Sequence, residues 1–273
     1  MPPRSVDDDE DEAVRAKVPA VMRAFALLDV LSERGSRPTT VSELARRLDI
    51  PKSSTINLIG VLQSLGVVHR RDGGLVLGSH LVELGAGYLR SVDLVQEFRD
   101  LCREDETLAD HTMQLAMLGS GFEVLYVSRR LGKQSVRLTS EVGLSIPANC
   151  TATGKAMLAR LPDADIRARV PGHGQWRALT ARSITDPQAF FEELARVRNR
   201  GFAIDDEEAA EGLCCVSAAL STRRGGRGDG LAAVSVSVSK PNATFERISA
   251  LGAAVRRVAA ELGHRVGSDP VWE

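Results

Sequence analysis

The chain has 273 residues, 43% of them hydrophobic, four cysteines and a formal net charge of −1. That length favours two domains over one. No apolar run approaches the roughly eighteen residues of a membrane span and the N-terminus lacks a signal-peptide core, so a cytoplasmic protein without membrane contact is expected. Cys102, Cys150, Cys214 and Cys215 form no CxxC pair and have no histidine at zinc-finger spacing. A disulfide framework, a metal site and a metal cofactor are therefore not expected.

Charge is unevenly placed. Residues 1–12 carry one Arg against six acids, whereas residues 13–75 carry ten Lys or Arg against five acids. The acidic run reads as a solvated, disordered tail over residues 1–17. The basic segment that follows is what a phosphate backbone attracts.

From Pro19 to Glu33, Val21, Phe25, Leu28 and Leu31 recur at helical spacing and predict a first helix whose apolar stripe faces inward. "TVSE" (Thr40–Glu43) matches a capping box, Leu44 and Leu48 continue a short second helix, and Pro51 opens a third. Two short helices across a tight turn have helix-turn-helix spacing. In the third, Thr55, Leu58, Ile59, Leu62 and Leu65 form the inward stripe, leaving Lys52, Ser53, Ser54 and Asn57 on the outer side of its first turns. After Gly66, "VVHRR", "DGG" and "LVLG" predict a hairpin, with Arg70 and Arg71 beside its turn. This is the order of a winged helix-turn-helix, here residues 18–78. Lys52, Ser53, Ser54 and Asn57 are the expected groove contacts, Arg70 and Arg71 the wing's backbone contacts, and Arg46 and Arg47 weaker phosphate contacts.

Leu81, Leu84, Tyr88 and Leu89 predict a linker helix over 79–95. A second domain, 96–267, then mixes helices and strands. Strands are expected at "FEVLYVSR", "QSVRLTS", "CCVSAALST" and "LAAVSVSVS", and helices at "TGKAMLARL", "AFFEELARVRNRG" and Phe245–Leu262. This is an α+β arrangement rather than a doubly wound nucleotide fold. "GGRGDG" (Gly225–Gly230) reads as a hairpin loop. "TGK" lacks the glycine and hydroxyl that a phosphate loop needs, yet the helix start at Thr151–Gly154 offers N–H groups to a small anion, or is a plain surface helix start. Asp205–Glu208 read as a solvated acidic turn or first helical turn. Ser235, Ser237 and Ser239 share one strand face, either the wet side of a sheet or the floor of a pocket. No basic partner is evident for a nucleophilic Cys215.

In order and spacing, "SELARRLDIPKSS", "GVVHRRDGGLVLGSHLVELG", "TATGKAMLA", "RGFAIDDEEAAEGLCCVSAAL" and "AAVSVS" together resemble the IclR family of bacterial transcription regulators. The resemblance implies an α+β fold with an N-terminal winged helix-turn-helix and a C-terminal GAF-like α/β effector-binding domain. It also implies homodimers or homotetramers on palindromic operators in double-stranded DNA, repression rather than activation, no catalysis, and a small-molecule effector, often an organic acid. Carried onto this chain, the effector contacts are Ala152, Thr153, Asp205, Cys215, Ser235 and Ser237. Where the family often has His-Arg in the recognition helix this chain has Ile56-Asn57, which implies different base readout. An architectural DNA-binding protein without effector response, or a cysteine-dependent enzyme, are the alternative readings.

Overall fold

A computed structural model describes residues 18–91, 93–104, 108–119, 122–133, 141–172, 175–220 and 231–266. The acidic tail (1–17), the strand expected at Gln134–Ser140 and the Gly225–Gly230 loop lie outside the described residues. The chain divides into two compact units, 1–88 and 89–273.

The first unit comprises α1 (Pro19–Arg34), α2 (Val41–Leu48), α3 (Lys52–Ser64), β1 (Val68–Arg71), β2 (Gly74–Leu77) and most of α4 (His80–Ser91). Its core is Leu27, Leu31, Leu44, Ile59, Leu62, Val67, Val68 and Leu75, all buried. The phase of α1 differs from the expected stripe: Leu27 and Leu31 point inward, while Val21 and Phe25 are 51% and 63% exposed. Leu27 and Leu31 reach α2, α3 and the hairpin from this one face, and no described element of the first unit covers the side that bears Val21 and Phe25.

Thr40 caps α2 by accepting the Glu43 N–H at 3.2 Å, a bond worth about 1 kcal/mol. Glu43 does not complete the capping box. Its carboxylate instead takes an ion pair from Arg34 and ties the end of α1 to α2. Asp49 turns the chain in the left-handed region (φ 51°), with the Ile50 N–H bonded to Ala45 O, and Pro51 caps α3. Gly66 (φ 70°) ends α3 in a Schellman turn, its N–H on Gln63 O and the Val67 N–H on Leu62 O. That early exit leaves Leu65 57% exposed rather than on the inward stripe. Asp72 and Gly73, both at positive φ, close the hairpin as a primed turn, which suits the twist of paired strands. The Thr39–Leu75 bridge holds the hairpin to the α1–α2 loop.

The region expected as a linker helix is helical over His80–Ser91 and over Asp93–Glu104. Leu81 in α4 packs on the first unit's core, and Leu94 and Val95 of α5 (Asp93–Glu104) belong to the second unit's core.

The second unit is built on a six-stranded antiparallel sheet in the order β5-β4-β3-β8-β7-β6, with β3 (Thr112–Leu118), β4 (Glu123–Arg130), β5 (Ser145–Pro147), β6 (Ala203–Asp206), β7 (Leu213–Ala219) and β8 (Ala232–Ser239). Helices α5 and α9 (Phe245–Val266) cover one face over Leu115, Val216, Val234 and Val236. The other face carries α6 (Ala152–Leu158) and α8 (Pro187–Arg200) over Ala116, Tyr126 and Ala233, with α7 (Asp163–Arg169) contributing Ile166. Because both faces are covered, Ser235 and Ser237 are buried and not on a wet side. The acidic stretch is likewise neither a solvated turn nor a helix start: Asp205 and Asp206 end strand β6, and Asp205 and Glu208 are buried. Strand β3, apolar throughout except for Thr112 and Gln114, has no counterpart among the strands expected from sequence.

Candidate functional site

In the first unit the two faces of α3 follow the expected division over its first turns. Thr55, Ile59 and Leu62 are buried, while Lys52, Ser53, Ser54 and Asn57 are exposed along the opposite side of the first two turns. Thr55 spends its hydroxyl on Pro51 O, which keeps it from competing for the outer face. Arg46 and Arg47 are exposed in the last turn of α2, and Arg47 stands 3.6 Å from Glu33. On the hairpin the two arginines differ. Arg71 donates to Ser36 O at 2.6 Å and is thereby an anchor for the wing, whereas Arg70 is exposed and has no partner among the described residues. Ile56, 51% exposed between Thr55 and Asn57, adds an apolar group to the outer face that the residue-by-residue reading had not assigned a role.

In the second unit, strand pairing brings the sequence-predicted residues together. Asp205 lies opposite Cys215, Cys215 opposite Ser237, Ser217 opposite Ser235, and Gln114 opposite Ser235 from the other side. Of these, Gln114, Asp205, Cys215 and Ser235 line a narrow cleft with Tyr126, Ile146, Ala152 and Thr153 at the start of α6, and Ser237 stands behind Cys215. Helix α6 is neither uncapped nor on the surface. Thr151 accepts the Gly154 N–H at 3.0 Å and every residue of the helix is buried. No described residue accepts a hydrogen bond from the N–H groups of Ala152 or Thr153. Gly154 is required by close approach, since a Cβ there would sit 2.3 Å from Ala148 O.

The cleft is lined by polar groups that are largely buried. Asp205 Oδ1 accepts from Glu208 N at 2.7 Å and Ala209 N at 3.2 Å, and burial, followed by the Glu208 carboxylate, pushes its carboxyl up to about 7. Cys215 Sγ lies 3.4 Å from Ser237 Oγ, and Tyr126 Oη lies 3.3 Å from Thr153 Oγ1. Burial, then the Asp205 carboxylate, drives the Cys215 thiol well above the ordinary range, the opposite of what a thiolate nucleophile needs. Among the described residues no His, Cys, Asp and Glu converge in a metal-binding group, and no helix is long and apolar enough to cross a membrane.

Sequence reasoning missed Gln114, Tyr126, Lys155 and Glu208 around this cleft. Gln114 carried a usable signal, a lone amide inside an apolar run. Lys155 was seen only as the lysine of a failed phosphate loop, yet it is wholly buried and ion-paired with Glu208.

The sequence profile described as IclR helix-turn-helix domain matches residues 20–72, and that of the bacterial transcriptional regulator IclR C-terminal matches residues 86–264. The chain is 28% identical over 255 residues to the HTH-type transcriptional regulator KdgR of Escherichia coli, covering 90% of this chain and 94% of that one. It is 27% identical to the acetate operon repressor of Salmonella typhimurium over 91% of this chain and 90% of that one. Among solved structures, the Agobacterium tumefaciens repressor BlcR is 34% identical, with a TM-score of 0.59 over 92% of this chain and 98% of that one. An IclR homologue from Microbacterium hydrocarbonoxydans in complex with 4-hydroxybenzoate shares the fold at 20% identity, with a TM-score of 0.69 over 92% of this chain and 98% of that one. With both of its units matched, the chain belongs to the IclR family of bacterial transcriptional regulators, DNA-binding proteins with an N-terminal helix-turn-helix and a C-terminal effector-binding domain.

Proposed function

We propose that this regulator represses transcription from a palindromic operator and changes its DNA affinity when a small organic acid enters the cleft of the second unit. The observation that carries the proposal is the cleft itself: Asp205, Ser235 and Ser237 are buried, and Cys215 partly so, beneath a helix start that presents two unengaged N–H groups. Buried polar groups are retained where something satisfies them. The effector contacts are Ala152, Thr153, Asp205, Cys215, Ser235 and Ser237, with Gln114 beside them.

In the first unit Lys52, Ser53, Ser54 and Asn57 approach the major groove. Asn57 pairs with an adenine, and Ile56 seats a thymine methyl beside it. Arg46, Arg47 and Arg70 bind phosphates, while Arg71 holds the wing in place and contributes mainly field. The exposed apolar stripe of α1, including Val21 and Phe25, supports a homodimer, or a homotetramer built from two. Residues 79–95 connect the two functions. The raised Cys215 thiol supports a role in binding rather than enzymatic turnover.

The test is a fluorescence-anisotropy titration against the protein's own upstream DNA and a scrambled duplex at two salt concentrations. Tighter binding to the native duplex at moderate salt, weakened by a small carboxylic acid, is the expected outcome. Equal binding to both duplexes, erased by salt, with no acid changing it, rejects the proposal in favour of an architectural protein.

A further inference from the structure

Behind the cleft, three charged side chains share one buried site. Lys155 is fully buried and donates to Glu208 Oε1, Glu208 is 7% exposed, and Asp205 is 2% exposed. Glu208 also donates its own N–H to Asp205 Oδ1, so the two carboxylates are linked through one residue's backbone. The second oxygen of Glu208, Oε2, is buried and has no hydrogen-bond partner among the described residues.

The charge count does not balance. One ammonium faces two carboxylates in a medium where an uncompensated buried charge costs several kcal/mol. The Glu208 and Ala209 N–H groups on Asp205 Oδ1 offset part of the difference, and the charged neighbours add nothing to that offset. From β6, Asp206 turns to Arg182 and Lys240, and Glu207 turns to Arg182. From α8, Glu193 is held by Arg196 and Arg200 and adds negative field. From β7 and β8 come Cys214, Cys215, Ser235 and Ser237, all uncharged. Among the described residues no second cation reaches the cluster, and two carboxylates beside an ammonium are a poor metal site.

We propose that the cluster holds one proton, carried by Asp205 on Oδ2, so that the wall of the cleft is a carboxylic acid acting as a hydrogen-bond donor. Asp205 carries it because Glu208 has the ammonium, and Oδ2 carries it because Oδ1 is already an acceptor for two N–H groups. The upward displacement of both carboxyls, caused first by burial, agrees with this placement. Lys155 and Glu208 are then positioning residues for the effector site. This rests on the cleft being the effector site and gives its ligand chemistry. The ligand brings an acceptor oxygen, a carboxylate or carbonyl, and is bound by a protein that has kept its proton. Affinity therefore falls about tenfold per pH unit once the site ionises, above about pH 7.

The experiment needs no ligand. Infrared difference spectra of the full-length protein are recorded from pH 5 to 9, with and without aspartate labelled with carbon-13 at the side-chain carboxyl. The expected result is a protonated-carboxyl stretch that persists near neutrality, shifts with the label, and is lost in Asp205→Asn but retained in Lys155-containing controls such as Asp206→Asn. A spectrum at pH 6 with no label-sensitive protonated band overturns the proposal. So does a band that survives in a folded Asp205→Asn protein. If that variant does not fold, the labelled wild-type spectrum still decides. The effector reading is tested separately by the response of DNA binding to added 4-hydroxybenzoate and acetate. A failure there with the band present would remove the cleft's role and not the proton.

Discussion

Replacing Lys155 by methionine tests the buried ion pair directly. Methionine preserves most of the side-chain volume, so the repacking cost stays below about 1.5 kcal/mol. The electrostatic cost is larger. Among the described residues Glu208 would lose its one cationic partner while Oε2 already has no hydrogen-bond partner, and breaking a buried pair by removing one member costs about 3–5 kcal/mol. Burial already holds the Glu208 carboxyl above its ordinary 4.5, chiefly opposed by Lys155, so the variant's carboxyl rises further. A folded-state value above the unfolded one means that the native state holds more protons through that window, so stability falls as pH rises. The loss is therefore expected to be near its maximum at pH 8 and much smaller at pH 5. Trp176 is buried in the second unit's core and the first unit has no tryptophan, so urea unfolding followed by tryptophan emission reports the second unit. The double variant Lys155→Met/Glu208→Gln should regain at least about 2 kcal/mol relative to the single one, as contacting residues couple. A loss below about 1 kcal/mol at pH 8, or one that is independent of pH, would refute the reasoning.

Asp205→Asn removes a carboxylate displaced from 3.8 to about 7 while keeping an oxygen for the two N–H groups. Relative to wild type it should be more stable by up to about 4 kcal/mol at pH 8, with the difference vanishing near pH 4, as measured by the same urea transitions. Gly154→Ala drives a Cβ into the Ala148 backbone, so α6 must shift. Anisotropy should show that effector response is lost while DNA affinity persists, with about 2 kcal/mol or more lost from the second unit. Asn57→Ala should cost about 1–3 kcal/mol on operator DNA and little on scrambled duplex. Replacing the contacted thymine by deoxyuridine should weaken the wild type and leave Ile56→Ala unaffected.

The first unit was largely legible because its signals are local. Thr40, Asp72-Gly73 and the Thr55–Ile59–Leu62 stripe each fix structure within a few residues, and each holds in three dimensions. The errors there came from phase: Phe25 and Leu65 fit a helical stripe but have nothing opposite them to pack on. The second unit was harder to read because its polar residues take their meaning from distant partners. Alternation placed Ser235 and Ser237 on one face correctly but did not say that α6 covers that face. Glu208 looked solvated beside three other acids, and its partner is 53 residues away. Strand β3 lacks alternation because both its faces are covered, so period-two patterning had nothing to detect.

The strand order has a bearing on synthesis. Everything the first unit needs has been translated by residue 88, and its core is assembled from neighbouring helices and a two-residue hairpin turn. The sheet of the second unit has β3 wedged between β4 and β8, so a strand made early waits for one that ends at Ser239. At bacterial elongation rates that interval is roughly 6–24 s. During it the nascent chain carries the whole helix-turn-helix unit with its own core and an unfinished effector-binding sheet. Truncation anywhere between the two strands would leave that same product, a chain with its helix-turn-helix unit whole and its effector-binding sheet incomplete.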